Sequence, residues 1–336
     1  MTRPSSCGAQ ELFILREVST VFRPQIKVLD CTVRDGGLIN QWQFNDDFVR
    51  KVYIALSQAG VDYMEIGYKS SEKCFSRTEN GAWKFCSEDD LKRVVGGLDT
   101  TMKLSAMADI GRIEHEDIPK KSESALDMIR VACYAKEVDK AISLAHHCME
   151  KGYETTINLM AVSKVLEKEL DEALEDLAKS EVPVIYLVDS FGAMYSEQVH
   201  FFAKKYREAL PGKELGIHTH NNQQLAFSNT IDGIVAGINR LDSTIYGMGR
   251  GAGNCPTELL LSFLKNPKFD IRPIISIIQE IFIPMKAKVE WGYHIPYMIT
   301  GILNEHPRSG MKAMSAEKLP DLRRFYEDLK DGTQLG

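Results

Sequence analysis

Eight apolar runs rich in Val, Ile and Leu recur along this sequence, and most are followed by a stretch with the apolar spacing of a helix. This alternation is typical of parallel βα units. Eight such units predict a closed (β/α)₈ barrel, the TIM-barrel fold of the α/β class. The predicted strands are residues 26–34, 62–67, 102–108, 126–133, 154–161, 184–189, 215–220 and 240–246.

The segments between the strands favour this closed barrel over an open sheet. A doubly wound sheet could also use eight strands, but no G-x-G-x-x-G turn follows the first of them, where a dinucleotide-binding fold needs it. The connection around residues 112–123 is the one without a clear helical pattern. The predicted helices lie near residues 46–59, 88–95, 137–151, 167–179, 196–210, 223–237 and 256–264.

The length of the chain fits one barrel with an extension. Barrels of this type commonly need about 250 residues, and this chain has 336. Residues 1–24 are interpreted as an N-terminal leader, 25–264 as the catalytic barrel and 265–336 as a C-terminal helical subdomain. Within that subdomain, residues 291–308 mix aromatic rings, histidines and prolines, which is typical of an interface or a lid.

Composition excludes several classes of protein. The net charge is −6 and no long Lys/Arg cluster occurs, so nucleic acid is not expected as a partner. No segment approaches the roughly 18 apolar residues of a membrane span. The seven cysteines are scattered and form no C-x-x-C pair, which indicates neither a disulfide framework nor a zinc knuckle. A reducing, cytoplasmic location is therefore expected.

Two histidines and an aspartate are the strongest chemical signal. His218 and His220 end the seventh predicted strand, where residues two apart point to the same side. Asp35 is predicted to end the first strand, at the same mouth of the barrel, and is followed by Gly36. Two imidazoles and a carboxylate predict a site for a borderline divalent ion, Mn²⁺, Co²⁺, Zn²⁺ or Fe²⁺, with Mg²⁺ as a further option. The alternative is that they are structural, hydrogen-bonded side chains.

Other polar groups are predicted at the same mouth. The glycine-rich loop after the eighth strand contains Gly251 and Gly253 as candidate substrate-binding positions. In this loop Asn254 either completes the metal site or caps the next helix. Glu65, Asp189 and Ser190 follow other strands and are candidates for substrate contact or for orienting a metal ligand. Each could instead be a structural barrel residue.

Three segments together carry a family resemblance. D-C-T-V-R-D-G-G, H-T-H-N-N and G-R-G-A-G-N-C-P-T-E occur in the order and spacing seen in the DRE-TIM metallolyases, and the chain resembles this superfamily over about residues 26–264. It is most similar to the 4-hydroxy-2-oxovalerate aldolase branch. The resemblance implies that Asp35, His218 and His220 bind the metal, with Mn²⁺ as first choice, and that Asn254 approaches it. It also implies that Arg34 stabilises a developing enolate.

The general base is the point where the sequence departs from that branch. In these aldolases a histidine follows the first motif, whereas Leu38 stands here. Tyr297 is the preferred substitute, with His294 or a water held by the metal as alternatives. These two rings could also serve only to pack a helical subdomain.

The leading hypothesis is a metal-dependent aldolase that cleaves or forms a small 4-hydroxy-2-oxo acid, giving pyruvate and an aldehyde through an enolate. One alternative is a synthase that condenses an acyl-CoA with a 2-oxo acid. Another is a non-catalytic barrel that serves a partner protein. The resemblance further implies a homodimer and an acylating aldehyde dehydrogenase as a partner.

Overall fold

The computed structural model of the protein describes residues 23–332, so nearly all of the predicted leader lies outside the described residues. Eight parallel strands pair in sequence order and β8 pairs with β1, which closes the sheet. The predicted TIM barrel with C-terminal helices is confirmed. Strands β1 to β8 are Lys27–Asp30, Tyr63–Tyr68, Lys103–Asp109, Met128–Cys133, Glu154–Leu159, Val184–Asp189, Glu214–Thr219 and Arg240–Ser243.

Helices surround the barrel and continue beyond it. Those of the barrel region, α1 to α8, are Thr32–Asn40, Asp46–Gln58, Glu88–Val95, Val138–Glu150, Glu167–Lys179, Ser196–Ala209, Ala226–Val235 and Thr257–Leu264. Those that follow, α9 to α13, are Arg272–Ile277, Ile283–Lys286, Ile295–Ile302, Arg308–Ser315 and Leu322–Lys330. A π-helical segment, Ile278–Phe282, joins α9 to α10.

The first strand is shorter than the sequence predicts. β1 ends at Asp30, whose carboxylate accepts the backbone N–H of Thr32 over 2.9 Å and helps to turn the chain into α1. The β-branched Thr32 and Val33 favour a strand locally, but this local hydrogen bond competes with strand pairing. The prediction that Arg34 and Asp35 end a strand is therefore wrong, because both lie at the start of α1.

Of the other strands, the eighth differs most from its predicted end, and the remaining strand ends agree to within two residues. The eighth strand ends at Ser243 rather than at residue 246, and Tyr246 adopts a left-handed backbone with φ of 56°. The uncertain connection between β3 and β4 contains no α-helix. It forms two short 3₁₀ turns, His115–Asp117 and Lys121–Glu123.

The interior of the barrel contains a charged network beside small apolar clusters, whereas the large apolar core lies between the sheet and the helices. The Arg130 side chain is fully buried inside the barrel, and its Nη2 donates to Asp242 Oδ2 over 2.7 Å. Its Nη1 lies 3.1 Å from Glu65 Oε2, and its guanidinium stacks 4.3 Å from the ring centre of Tyr186. This charged network lies directly beneath the mouth of the barrel.

The C-terminal helices pack on the barrel. Phe282 packs against Phe48 of α2, with ring centres 5.7 Å apart and the ring planes tilted by 52°. Helix α11 packs against the loop after β7, where Asn222 Nδ2 donates to the Tyr297 carbonyl over 3.1 Å. Whether these helices form a separate subdomain stays a prediction. None of the helices within residues 23–332 has the length and apolar character needed to cross a membrane.

Candidate metal centre and active-site cavity

Asp35, His218 and His220 come together at the mouth of the barrel. One ligand atom of each lies within 4.8 Å of the others, and all three side chains are buried. His218 belongs to β7 and His220 follows it directly, so both rings point to the same side of the sheet. The structure therefore brings together the three residues that the sequence selected, although Asp35 reaches the site from a helix.

Both histidines present the same ring nitrogen to the site. His218 Nδ1 lies 3.0 Å from Asp242 Oδ2, and His220 Nδ1 lies 3.0 Å from the backbone oxygen of Asp189. Because both partners are acceptors, Nδ1 carries the proton on each ring and Nε2 keeps its lone pair. His218 Nε2 is buried without a hydrogen-bond partner, as expected of a nitrogen that binds a metal.

Asn254 adds a fourth candidate ligand atom for a metal. Its Nδ2 donates to Asp35 Oδ2 over 2.6 Å, while its Oδ1 is buried without a hydrogen-bond partner. A buried amide oxygen beside a carboxylate and two imidazole nitrogens fits a divalent cation. The residues present therefore match the metal that the resemblance implies.

Gly249 keeps this cluster accessible. A Cβ at this position would lie 2.1 Å from Asn254 Nδ2 and 2.5 Å from Asp35 Oδ2. Gly253 is equally constrained, since its φ is 80° and a Cβ would lie 1.9 Å from the Gly247 oxygen. The glycine-rich loop thus provides close approach to the metal ligands.

The charges around the site keep the ligands in the form that binds metal. Burial alone would raise the pKa of the Asp35 carboxyl, but the neighbouring charges, Arg34 foremost, hold it below its usual range. Burial lowers the pKa of His220 well below its usual value, and the charge of Arg250 lowers it further. An ionised carboxylate and a neutral imidazole are the required ligand states.

Arg34 is held rigidly beside the metal cluster. Its Nη1 lies 2.6 Å from Asp35 Oδ1 and its Nε lies 2.6 Å from Glu65 Oε2. Glu65, for which the sequence suggested substrate contact, is fully buried beneath Arg34 and does not line the cavity. It is placed to orient Arg34 instead.

A cavity of about 70 Å³ opens on this cluster. Its polar lining side chains are Arg34, Asp35, Tyr68, Asn158, Ser190, His218, His220 and Arg250. Its apolar wall consists of Leu38, Met107, Ala132, Met160 and Val188. The cavity therefore combines a charged floor with one apolar side.

The remaining substrate-binding candidates have different positions. Ser190 lines the cavity, although its Oγ accepts the Ala161 N–H over 2.9 Å. The Asp189 side chain accepts the N–H groups of Ala193 and Met194, and burial raises its pKa to about 6. Only its backbone oxygen contacts the site, through His220.

Gly36 and Gly251 permit close packing. A Cβ on Gly36 would lie 3.2 Å from the Met248 side chain, and one on Gly251 would lie 3.4 Å from the Tyr297 ring. Neither glycine lines the cavity as described.

The two proposed substitutes for the base do not line the cavity either. His294 Nε2 pairs with Glu290 Oε1 over 2.9 Å. Tyr297 is buried by packing against Gly251 and Gly310. Their role in proton transfer stays a prediction, whereas the phenol of Tyr68 does line the cavity.

Sequence reasoning missed several members of the site. Asp242 lies inside β8 and carried no motif, yet it orients His218. Arg250 stands within the glycine-rich loop that the sequence had marked, and Tyr68 ends β2, three residues after Glu65. A search for polar residues at the ends of strands and in the loops after them could have found both.

Comparison with known proteins agrees with this geometry. The chain matches the HMGL-like family model over residues 25–277. It is 31% identical over 270 residues to the 4-hydroxy-2-oxovalerate aldolase of Thermus thermophilus, covering 77% of this chain and 75% of the relative. It is 32% identical over 244 residues to the oxaloacetate decarboxylase of Mycobacterium tuberculosis, covering 71% and 69%.

A solved structure is also similar to this chain in both fold and sequence. The N-terminal domain of a candidate aldolase from Bacteroides vulgatus has a TM-score of 0.76 and 31% identity to this chain, covering 87% of this chain and 97% of that one. On the match of the family model to most of its length and on these relatives, the chain belongs to the HMGL-like family.

Proposed function

We propose that this protein is a divalent-metal-dependent aldolase that cleaves or forms a small 4-hydroxy-2-oxo acid, giving pyruvate and an aldehyde. The observation that carries the proposal is the convergence of Asp35, His218 and His220 next to Arg34 in one buried cavity. Several relatives named 4-hydroxy-2-oxovalerate aldolase support it. They favour it over the acyl-CoA condensing synthase.

Asp35, His218 and His220 would hold the cation, and the Oδ1 atom of Asn254 is placed to complete the site. Mn²⁺ is our first choice, with Mg²⁺, Co²⁺ and Zn²⁺ as alternatives. When bound, such a cation polarises the carbonyl of a 2-oxo acid and lowers the energy of an enolate.

The chain's own residues supply the rest of the chemistry. Arg34, fixed by Asp35 and Glu65, presents a positive charge where the enolate oxygen develops. Burial raises the pKa of Tyr68, so its phenol stays protonated and is suited to donate a proton to the enolate carbon. For the base that removes the hydroxyl proton, Tyr297 and His294 remain our proposals.

The wider setting of the enzyme is also a proposal. The family resemblance supports a homodimer, an acylating aldehyde dehydrogenase that receives the aldehyde, and a cytoplasmic location. The small 2-oxo acid is the one partner for which the cavity itself supplies recognition groups.

The test is pyruvate release from 4-hydroxy-2-oxo acids of increasing chain length, followed through NADH oxidation by lactate dehydrogenase, with Mn²⁺ and then with EDTA. We expect release with Mn²⁺ and none with EDTA. Asp35→Asn should abolish it, whereas Asp139→Asn, an exposed aspartate on α4, should not. Metal-dependent release that survives in Asp35→Asn would refute the assigned site.

Two further substrates separate the alternatives. Oxaloacetate is included because one relative is an oxaloacetate decarboxylase, and pyruvate from it alone would replace the aldolase assignment by decarboxylation. An acyl-CoA with pyruvate and a thiol reagent tests the synthase, since only a synthase frees CoA. A metal-loaded protein inert towards all of them would favour the non-catalytic barrel.

A further inference from the structure

Arg250 occupies a distinctive position in the cavity. It stands between Gly249 and Gly251 in the loop after β8, and its backbone N–H donates to Asp35 Oδ2 over 3.2 Å. Its side chain lines the cavity, and its Nη2 donates to the Ser190 backbone oxygen over 2.6 Å. The same Nη2 lies 3.4 Å from His220 Nε2. The guanidinium is thus fixed beside the nitrogen that His220 offers to a metal.

This guanidinium lacks a counter-charge. Arg34 pairs with Asp35 and Glu65, and Arg130 pairs with Glu65 and Asp242. Within residues 23–332 the side chain of Arg250 has no carboxylate in ion-pair distance, and its Nε is buried without a hydrogen-bond partner.

The missing partner should be a planar anion. A guanidinium matches a carboxylate through two parallel hydrogen bonds, and burial strengthens such a pair. Because Arg250 lies next to His220 Nε2, an anion that it binds also lies next to the metal position. The apolar residues that line the cavity, Leu38, Met107, Ala132, Met160 and Val188, offer no charge to an anion.

We propose that Arg250 binds the carboxylate of the 2-oxo acid and determines specificity for a free acid over its uncharged derivatives. The inference rests on the proposed function, and it states where each end of the substrate lies in the cavity. The carboxylate end of the substrate lies at Arg250, and the aldehyde fragment, which carries no charge, lies along the apolar wall.

The test uses pyruvate and methyl pyruvate as probes, titrated by calorimetry into the Mn²⁺-loaded protein. The two differ at one group, which is a charged carboxylate in pyruvate and an uncharged methyl ester in methyl pyruvate. We expect the wild type to prefer pyruvate. Arg250→Met should weaken pyruvate binding by about 10- to 100-fold, the range for a charged hydrogen-bonded pair, and leave methyl pyruvate unchanged. Arg250→Lys should recover part of the preference for pyruvate, since lysine restores the positive charge but not the two parallel N–H donors of the guanidinium.

Two controls make the result specific. Arg112→Met removes an exposed arginine at the end of β3 that pairs with Asp109 outside the cavity, and it should leave both probes unaffected. Mn²⁺ affinity, measured separately by electron paramagnetic resonance, should be equal or tighter in Arg250→Met, because a positive charge beside the cation is removed. Retained Mn²⁺ binding also shows that the variant is folded.

An unchanged preference for pyruvate in Arg250→Met would overturn the inference. Loss of Mn²⁺ together with pyruvate would overturn it too, because Arg250 would then act through the metal site. The proposed function fails separately, if the wild type discriminates pyruvate from its ester but releases no pyruvate from any 4-hydroxy-2-oxo acid.

Discussion

His218 Nδ1 lies 3.0 Å from Asp242 Oδ2, and this contact decides which nitrogen of the ring faces the cavity. Asp242 is itself fixed by Arg130, which donates to the same oxygen over 2.7 Å. The imidazole of His218, a proposed metal ligand, thus forms one chain of contacts with a carboxylate and a buried arginine, from the mouth into the barrel. The orientation of His218 depends on that chain.

Replacing Asp242 by Asn should therefore weaken metal binding. The amide can accept from His218, but it lacks the charge that raises the basicity of the ring, and it leaves Arg130 short of a counter-charge. We expect Mn²⁺ affinity to fall by about 10- to 100-fold, measured by paramagnetic resonance titration. Asp232→Asn alters a partly exposed Asp–His pair with His200 and should have no such effect. Equal Mn²⁺ affinities of the two variants would contradict the assigned role.

Gly249→Ala should also remove the metal site without unfolding the barrel. The new Cβ would collide with Asn254 Nδ2 and Asp35 Oδ2, at 2.1 and 2.5 Å. We expect a loss of Mn²⁺ binding and of turnover, with circular dichroism unchanged. Gly212→Ala is the comparison, since its Cβ meets no atom within 4 Å and only its φ of 84° is strained. If Gly249→Ala binds Mn²⁺ as strongly as the wild type, then the metal site does not need a residue without a Cβ at position 249.

Arg34→Lys should lower kcat more than it raises KM. A lysine keeps the charge but cannot contact Asp35 and Glu65 together through two nitrogens of one plane. Loss of one preorganised donor at a developing oxyanion typically costs about 10²- to 10³-fold in kcat. Steady-state kinetics with Arg112→Lys as the comparison would measure this. A pure KM effect would mean that Arg34 only binds the substrate.

Asp30 should make stability depend on pH. Burial raises its pKa to about 6, despite hydrogen bonds from Thr32 and Thr257. A carboxyl whose pKa is raised by folding stabilises the fold fully below its unfolded pKa, near 4, and that contribution is lost as the pH rises through about 6. Between pH 4 and pH 8 the free energy of unfolding of the wild type should therefore fall by up to about 3 kcal/mol relative to that of Asp30→Asn.

Urea denaturation of both proteins at pH 4.5 and pH 8 would measure that difference. Asparagine cannot ionise. The free energy of unfolding of Asp30→Asn should therefore rise relative to that of the wild type when the pH is raised from 4.5 to 8. A gap independent of pH would show that Asp30 does not titrate in this range.

The sequence predicted the end of the seventh strand to within one residue, and this was close enough to select His218 and His220. It failed at the first strand. Thr32 and Val33 have strand propensity, but the hydrogen bond from the Thr32 N–H to the Asp30 carboxylate begins a helix there. Asp35 still lies at the predicted place beside His218 and His220, because a residue just after a short strand reaches the same mouth as one at its end.

The position of the proposed base relative to the cavity is a second point that the sequence did not decide. Tyr297 and His294 were selected by their residue types, yet whether a ring reaches the cavity depends on how α11 packs against the barrel. Tyr68, by contrast, reaches the cavity because β2 directs it there.

By itself the sequence determined the repeating strands and helices and the closed barrel, and it selected the three residues that meet at the mouth, since these follow from local periodicity and from the ends of strands. Only the tertiary structure decided that Asp242 orients His218, that Glu65 holds Arg34 and that Arg250 faces the cavity without a counter-charge. Each of these joins residues that lie far apart along the chain, and the closure of the barrel sets which of them meet.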